Sequence, residues 1–256
     1  MSIEFDNGWI TIRERDGLAV VTIDAFPVSA ADDLEAKETI LALFDTVEAS
    51  PHLNGVLHLC TPDAMSPSWY SEFMRRSRER GHLGETGEER GELTYAREEN
   101  ALRQIVTRVQ RCDKLVVAGL RGAVAAPLFG VSLGCDIRFA SEDTRIHVAH
   151  PELGVPPSAG LGFFLPRYVG LGTAVELILD ASPIPAGRAR ELGLVTACLP
   201  DDGFEERAVE LAVKMCHTGK GLAAGTKELL YPYREKELEH YLDTEFRVMQ
   251  QALSTH

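Results

Sequence analysis

Two short stretches of this chain carry residue types that can attack a carbonyl or move protons. Gly130-Val131-Ser132-Leu133-Gly134 has the G-x-S-x-G spacing of a nucleophile elbow, where a sharp strand-to-helix turn exposes a serine hydroxyl. Ser132, however, follows a predicted helical turn and precedes the strand Cys135 to Ala140, the wrong order for an elbow. Small residues that let a helix approach a sheet explain the pattern with less. The second stretch, His147-x-x-His150-x-Glu152, offers imidazoles that titrate near neutral pH and can take or give a proton unaided. The plainer alternative is a pair of loop histidines satisfied by backbone groups. In extended chain positions 147 and 150 face opposite sides, so no metal site is expected from the trio.

Ligand-binding groups are more dispersed. Lys220, Lys227, Tyr231, Tyr233 and Arg234 form a modest basic and aromatic cluster, and Arg75, Arg76, Arg78 and Arg80 a basic run; either could cover a pocket or be a solvated helix face. The net charge of −13 argues against a broad nucleic-acid or anionic-membrane surface while leaving room for a local phosphate pocket. Five scattered cysteines without C-x-x-C spacing argue against a disulfide framework or zinc site. With no basic leader and no apolar run of membrane-spanning length, the expectation is a cytoplasmic protein.

The elements that must position these groups alternate. Trp9 to Arg13 and Leu18 to Ile23 flank Asp16-Gly17, a hairpin signal. A helix starts at Ser29 or Asp32 and ends at Ser50-Pro51, and a strand follows at Gly55 to Leu59. Helical periodicity from Trp69 to Arg80 runs into an apolar-poor stretch, His82 to Gly91, read as a surface loop, and resumes near Thr94. Leu115 to Leu120 is a buried strand, and Asp136 to Ala140 and Arg145 to Val148 are short strands. Beyond Gly160 nearly everything is helical. Leu238, Tyr241, Leu242, Met249 and Leu253 give the last helix an apolar face that needs the core or a neighbouring subunit.

Between Lys114 and Gly170 stand Lys114-Leu115-Val116-Val117-Ala118, Arg121-Gly122-Ala123-Val124-Ala125, Gly134-Cys135-Asp136-Ile137-Arg138 and Leu165-Pro166-Arg167-Tyr168-Val169-Gly170, followed by Glu191-Leu192-Gly193-Leu194-Val195. In this order and spacing they resemble the crotonase superfamily, the enoyl-CoA hydratase/isomerase family. The usual NRP-type signature near Pro27 is absent, and Phe26 stands where the family often has a basic residue beside CoA. The resemblance implies an α/β fold with a ββα spiral core over 1–195 and a helical trimerisation region over 196–256. It also implies a homotrimer or dimer of trimers, and a pocket for an acyl-CoA thioester, with CoA part of the substrate and no separate cofactor.

It further implies site residues. Family chemistry passes through a thioester enolate held by two backbone N–H groups. Counting from Leu59 into Met65-Ser66-Pro67-Ser68-Trp69-Tyr70 assigns the first to Trp69, with Ser68 where the family keeps glycine. The second falls on Pro127, which has no N–H, leaving Leu128 as the nearest donor. The family's first glutamate maps to Gly130 and its second to His150 by gap-free counting, while Pro151-Glu152 imitates the family's Pro-Glu two residues later. Three readings follow: an isomerase, decarboxylase or lyase on acyl-CoA using His150 or Glu152; a hydrolase of carbon–carbon or ester bonds; and a catalytically silent acyl-CoA or partner-binding protein. Asp136 is expected to be structural.

Overall fold

Asp16 and Gly17 both adopt positive φ, 51° and 75°, the geometry that a two-residue hairpin turn requires of its central pair. They join β2 (Ile10–Arg15) to β3 (Leu18–Ile23), antiparallel in full register, with β1 (Phe5–Asp6) on the outer edge. The computed structural model describes residues 4–24, 34–62, 64–82, 100–217, 222–231 and 234–254. Phe26, Pro27, Ser29, Asp32, Gly84 to Gly91, Thr94, Lys220 and Tyr233, singled out in the sequence, lie outside these residues, as do the side chains of Arg78, Arg80, Arg234 and Leu253.

From β3 onward every pairing in the large sheet is parallel. Helix α1 (Leu34–Ala49) crosses to β4 (Gly55–Cys60); α2 (Pro67–His82) and α3, described over 100–111, cross to β5 (Leu115–Leu120). Then β7 (Ile137–Ser141) and β10 (Ala197–Leu199) complete the order β1-β2-β3-β4-β5-β7-β10. A smaller sheet, β6-β8-β9, is built from Ala123–Val124, Arg145–Ile146 and Ile184–Pro185. Each later turn thus gives one strand to each sheet before a helix: β5, β6 and α4 (Ala126–Gly134), then β7, β8 and α5 (Leu161–Val169), which α6 (Leu171–Asp180) continues. This is the strand–strand–helix spiral expected from the resemblance.

A parallel sheet must be covered on both faces, because its crossovers leave helices on each. One face carries Val21, Val56, Ala118 and Leu120 under Phe44 and Val47 of α1 and Val106 and Val109 of α3. The other carries Val20, Leu57, Val117 and Phe139 under Phe204, Ala208 and Ala212 of α8 (Phe204–Cys216). The remaining helices are α7 (Ala186–Glu191), α9 (Leu222–Leu230) and α10 (Arg234–Ser254).

Helix α10 lies on this chain's own core. Leu238, Leu242 and Met249 are buried, and Tyr241 sits against Gly162, where an added Cβ would come within 2.4 Å of its hydroxyl. Arg103–Asp243, Arg111–Glu239 and Arg167–Glu237 rim the contact. Exposed pairs contribute about 0.2–1 kcal/mol each and a buried apolar side chain about 1.5–3, so the apolar face holds the helix.

Candidate active site

The N-terminus of α4 organises the site. Ala125 is its extended N-cap, and Pro127 enters the first turn, where proline is tolerated because an N–H there has no intrahelical acceptor. The Ala125 N–H donates to the Met65 carbonyl at 3.1 Å and the Ala126 N–H to His150 Nε2 at 3.2 Å. Regular helix bonding begins at Phe129, whose N–H donates to the Ala125 carbonyl. Between them, the Leu128 N–H meets no acceptor among the described residues. First-turn N–H groups point out of the helix end. The open donor therefore faces the end of α4 flanked by Met65 and His150.

Ser66, buried at 4% exposure, is the N-cap of α2. Its Oγ accepts the Trp69 N–H at 3.2 Å and lies 2.8 Å from the Ser68 hydroxyl. The backbone donor expected at Trp69 is therefore engaged by its own helix cap. The Trp69 ring stacks on Phe73, 5.8 Å between centroids.

His150 caps a 3₁₀ turn, Pro151–Leu153, that carries Glu152 and is ended by Gly154 at φ 65°. His150 is 3% exposed; its Nε2 accepts from Ala126, so the neutral ring carries its proton on Nδ1, 3.5 Å from Glu152 Oε1. Glu152 is 58% exposed at its side chain. Burial holds the His150 and His147 imidazoles below their usual pKa, with the Glu152 charge pulling the other way. His147 and His150 do not face opposite sides as expected. Their rings are nearly parallel, 6.3 Å apart, because β8 ends at Ile146 and strand alternation stops before His147. Tyr70 flanks His150 with ring centroids 5.1 Å apart.

On the next turn of α4, Gly130 lies directly against backbone. A Cβ there would fall 2.7 Å from the Ala159 carbonyl oxygen and 2.8 Å from that of Ser158. No side chain fits, so the position where the resemblance expects a glutamate is filled by the 158–160 turn. That turn has two successive left-handed residues, Ala159 at φ 57° and Gly160 at φ 75°. The Gly160 N–H donates to both carboxylate oxygens of Glu245 on α10, at 3.2 and 3.1 Å. Sequence reasoning passed over Glu245; the available signal was a carboxylate on the face that carries Leu238, Tyr241, Leu242 and Met249.

Other candidates have structural partners. Ser132 is 1% exposed and donates its hydroxyl to the Phe129 carbonyl at 2.7 Å, back into its own helix. Asp136 Oδ2 accepts from the Val116 N–H at 2.8 Å and from Lys227 at 2.9 Å, and Lys227 also donates to the Lys114 carbonyl. Arg75 and Arg76 both pair with Glu72.

A family model described as enoyl-CoA hydratase/isomerase matches residues 82–256. A probable enoyl-CoA hydratase of Bacillus subtilis (strain 168) is 31% identical over 153 residues, 59% of this chain and 59% of that protein. The peroxisomal Delta(3,5)-Delta(2,4)-dienoyl-CoA isomerase of Arabidopsis thaliana is 29% identical over 161 residues, 62% of this chain and 58% of that one. The aligned stretches thus span less than two thirds of either relative. In structure, an enoyl-CoA hydratase from Bacillus halodurans superposes with TM-score 0.76 at 16% identity, covering 96% of this chain and 95% of that one. An enoyl-CoA hydratase/isomerase from Xanthobacter autotrophicus Py2 gives 0.76 at 22% identity, covering 96% and 88%. The spiral order of the strands, the motifs between Lys114 and Gly170 and the family match together place this chain in the enoyl-CoA hydratase/isomerase family of the crotonase superfamily.

Proposed function

We propose that this protein processes an acyl-CoA thioester by proton transfer through an enolate, as an isomerase or lyase and not as a two-glutamate hydratase. The observation that carries the reading is the open Leu128 N–H at the end of α4, beside the His150–Glu152 pair. A helix N-terminus with an unspent donor stabilises a developing oxyanion, and one such donor is worth about 3–4 kcal/mol in the transition state. The Trp69 N–H, which the resemblance implies as the other donor, is engaged by Ser66 Oγ.

Glu152 is the proton carrier and His150 its positioning residue. Both imidazole nitrogens of His150 face protein partners and the ring is buried, whereas the Glu152 carboxylate is open to an incoming ligand. Hydration needs one group to activate water and another to protonate carbon; moving a proton between two carbons of a thioester needs one base that returns what it takes. The backbone filling the space beside Gly130 favours the single-base reaction. CoA enters as part of the substrate, with no separate cofactor.

The test follows deuterium wash-in at the α-carbon of butyryl-CoA in D2O, which requires only enolate formation, beside melting temperatures with acetyl-, butyryl- and crotonyl-CoA. Wild type should exchange, and Glu152→Gln should lose about 100-fold or more in exchange rate with binding retained. Binding without any exchange would favour the silent acyl-CoA-binding reading, for which Pro127 and Gly130 are the motivating residues. No binding of any thioester would remove both.

A further inference from the structure

Helix α4 is fixed near its active end by two contacts. On one side His150 takes the Ala126 N–H; on the other the Ser158 and Ala159 carbonyls press on Gly130. Leu128 and its open N–H lie between. The second contact depends on a turn with consecutive left-handed residues, one of them an alanine, a conformation that persists only where the surroundings hold it.

What holds it comes from the other end of the chain. Glu245, 6% exposed, takes the Gly160 N–H on both oxygens. One turn further along α10, Met249 is fully buried in a cluster with Tyr70, Ala125 and Leu153: Tyr70 flanks His150, Ala125 caps α4 and Leu153 ends the Pro151–Leu153 turn. A carboxylate in such surroundings costs desolvation that an apolar residue would not. Its position beside Gly160, the N-cap of α5, recovers part of that through the helix dipole.

We propose that Glu245 is a positioning residue for the reaction: from the C-terminal helix it holds the 158–160 turn against Gly130, and so sets where α4 presents the Leu128 N–H to the thioester oxygen. This rests on the acyl-CoA reading above. The role so assigned depends on where the carboxylate oxygens meet the Gly160 N–H. Glutamine, equal in length and still an acceptor, should replace Glu245; aspartate, charged but one methylene shorter, should not.

The experiment measures butyryl-CoA deuterium exchange over a range of butyryl-CoA concentrations for the full chain and for Glu245→Gln, Glu245→Asp and Glu245→Ala, with melting curves. Glu245→Gln should stay within about threefold of wild type, and Glu245→Asp should fall about tenfold in maximal rate, since displacing a catalytic group by an ångström can cost up to about 100-fold. Half-saturation should be unchanged, because a donor engaged mainly in the enolate affects turnover and not ground-state binding. Glu245→Ala should fall at least as far as Glu245→Asp; if it does not fold, the glutamine and aspartate variants decide. The proposal is overturned if Glu245→Asp matches wild type, or if Glu245→Gln is inactive while folded and Glu245→Asp is active, which would make the carboxylate a chemical partner. A wild type that does not exchange takes down the acyl-CoA reading and this inference together, whereas a wild type that exchanges beside an equally active Glu245→Asp sinks the inference alone.

Discussion

His58 shows how far burial alone can move a group in this molecule. It alternates with Val56 and Cys60 on one face of β4, and burial lowers its imidazole pKa from 6.5 to about 4. The unfolded chain therefore binds this proton more readily than the folded one. Stability should be full above pH 6.5 and fall as pH drops from 6.5 toward about 4, where the folded imidazole also protonates and the loss levels off. Urea midpoints between pH 7.5 and 4.5 should decline, and His58→Gln should flatten much of the decline; a midpoint equally steep in the variant would show that other groups cause it. The same burial raises the Cys60 and Cys135 thiols to about 12 and leaves them unreactive at neutral pH. At this scale the candidate site reads differently: Glu152 stays exposed while its neighbour His150 is spent on the backbone.

Among the elements, α4 carries the most consequence for its length. Its N-terminal end holds the open donor, and its C-terminal end is fixed by Arg138 on β7. Arg138, 3% exposed, donates to the carbonyls of Leu194, Ser132 and Cys135 at 2.7, 3.1 and 2.6 Å, and its guanidinium lies 4.6 Å from the centroid of the Tyr168 ring. A cation over the last carbonyls of a helix complements its dipole. Arg138→Met keeps volume but takes the guanidinium from the Leu194 and Cys135 carbonyls, while Ser132 keeps the Cys135 N–H, so denaturant unfolding should show a loss of about 2 kcal/mol or more. A variant as stable as wild type would mean that the carbonyls find other donors.

For the whole molecule, α6 and α9 both leave apolar side chains uncovered among the described residues, with Leu222, Leu229 and Leu230 exposed on α9. Leu171, Val175 and Leu179 stand at i, i+4 and i+8 on α6, exposed by 70, 47 and 78%. A stripe of that kind on a helix is the pattern of a subunit contact, and we propose that it serves in the trimer or pair of trimers that the resemblance implies. Light scattering coupled to size exclusion should give a multiple of 28.1 kDa for wild type and the monomer mass for Leu171→Glu/Leu179→Glu. A wild-type monomer would end that proposal. Among the described residues no helix is long and apolar enough to cross a membrane.

What the sequence determined by itself is local or periodic. Asp16-Gly17 dictated the hairpin because both positions need left-handed backbone; the apolar run Leu115–Leu120 could only be a strand covered on two faces; and the ordered motifs from Lys114 to Gly170 carried the family. Even Pro127 could be read directly, since a missing N–H is a property of the residue. Tertiary structure decided everything that depends on what a group meets. It brought His147 and His150 to one side, gave the Ala126 N–H to His150, engaged the Trp69 N–H with Ser66, filled the space beside Gly130 with backbone, and drew Glu245 from the last helix to the 158–160 turn. Spacing along a chain fixes which residues share a face; hydrogen-bond partners 24 and 85 residues apart depend on how the elements pack.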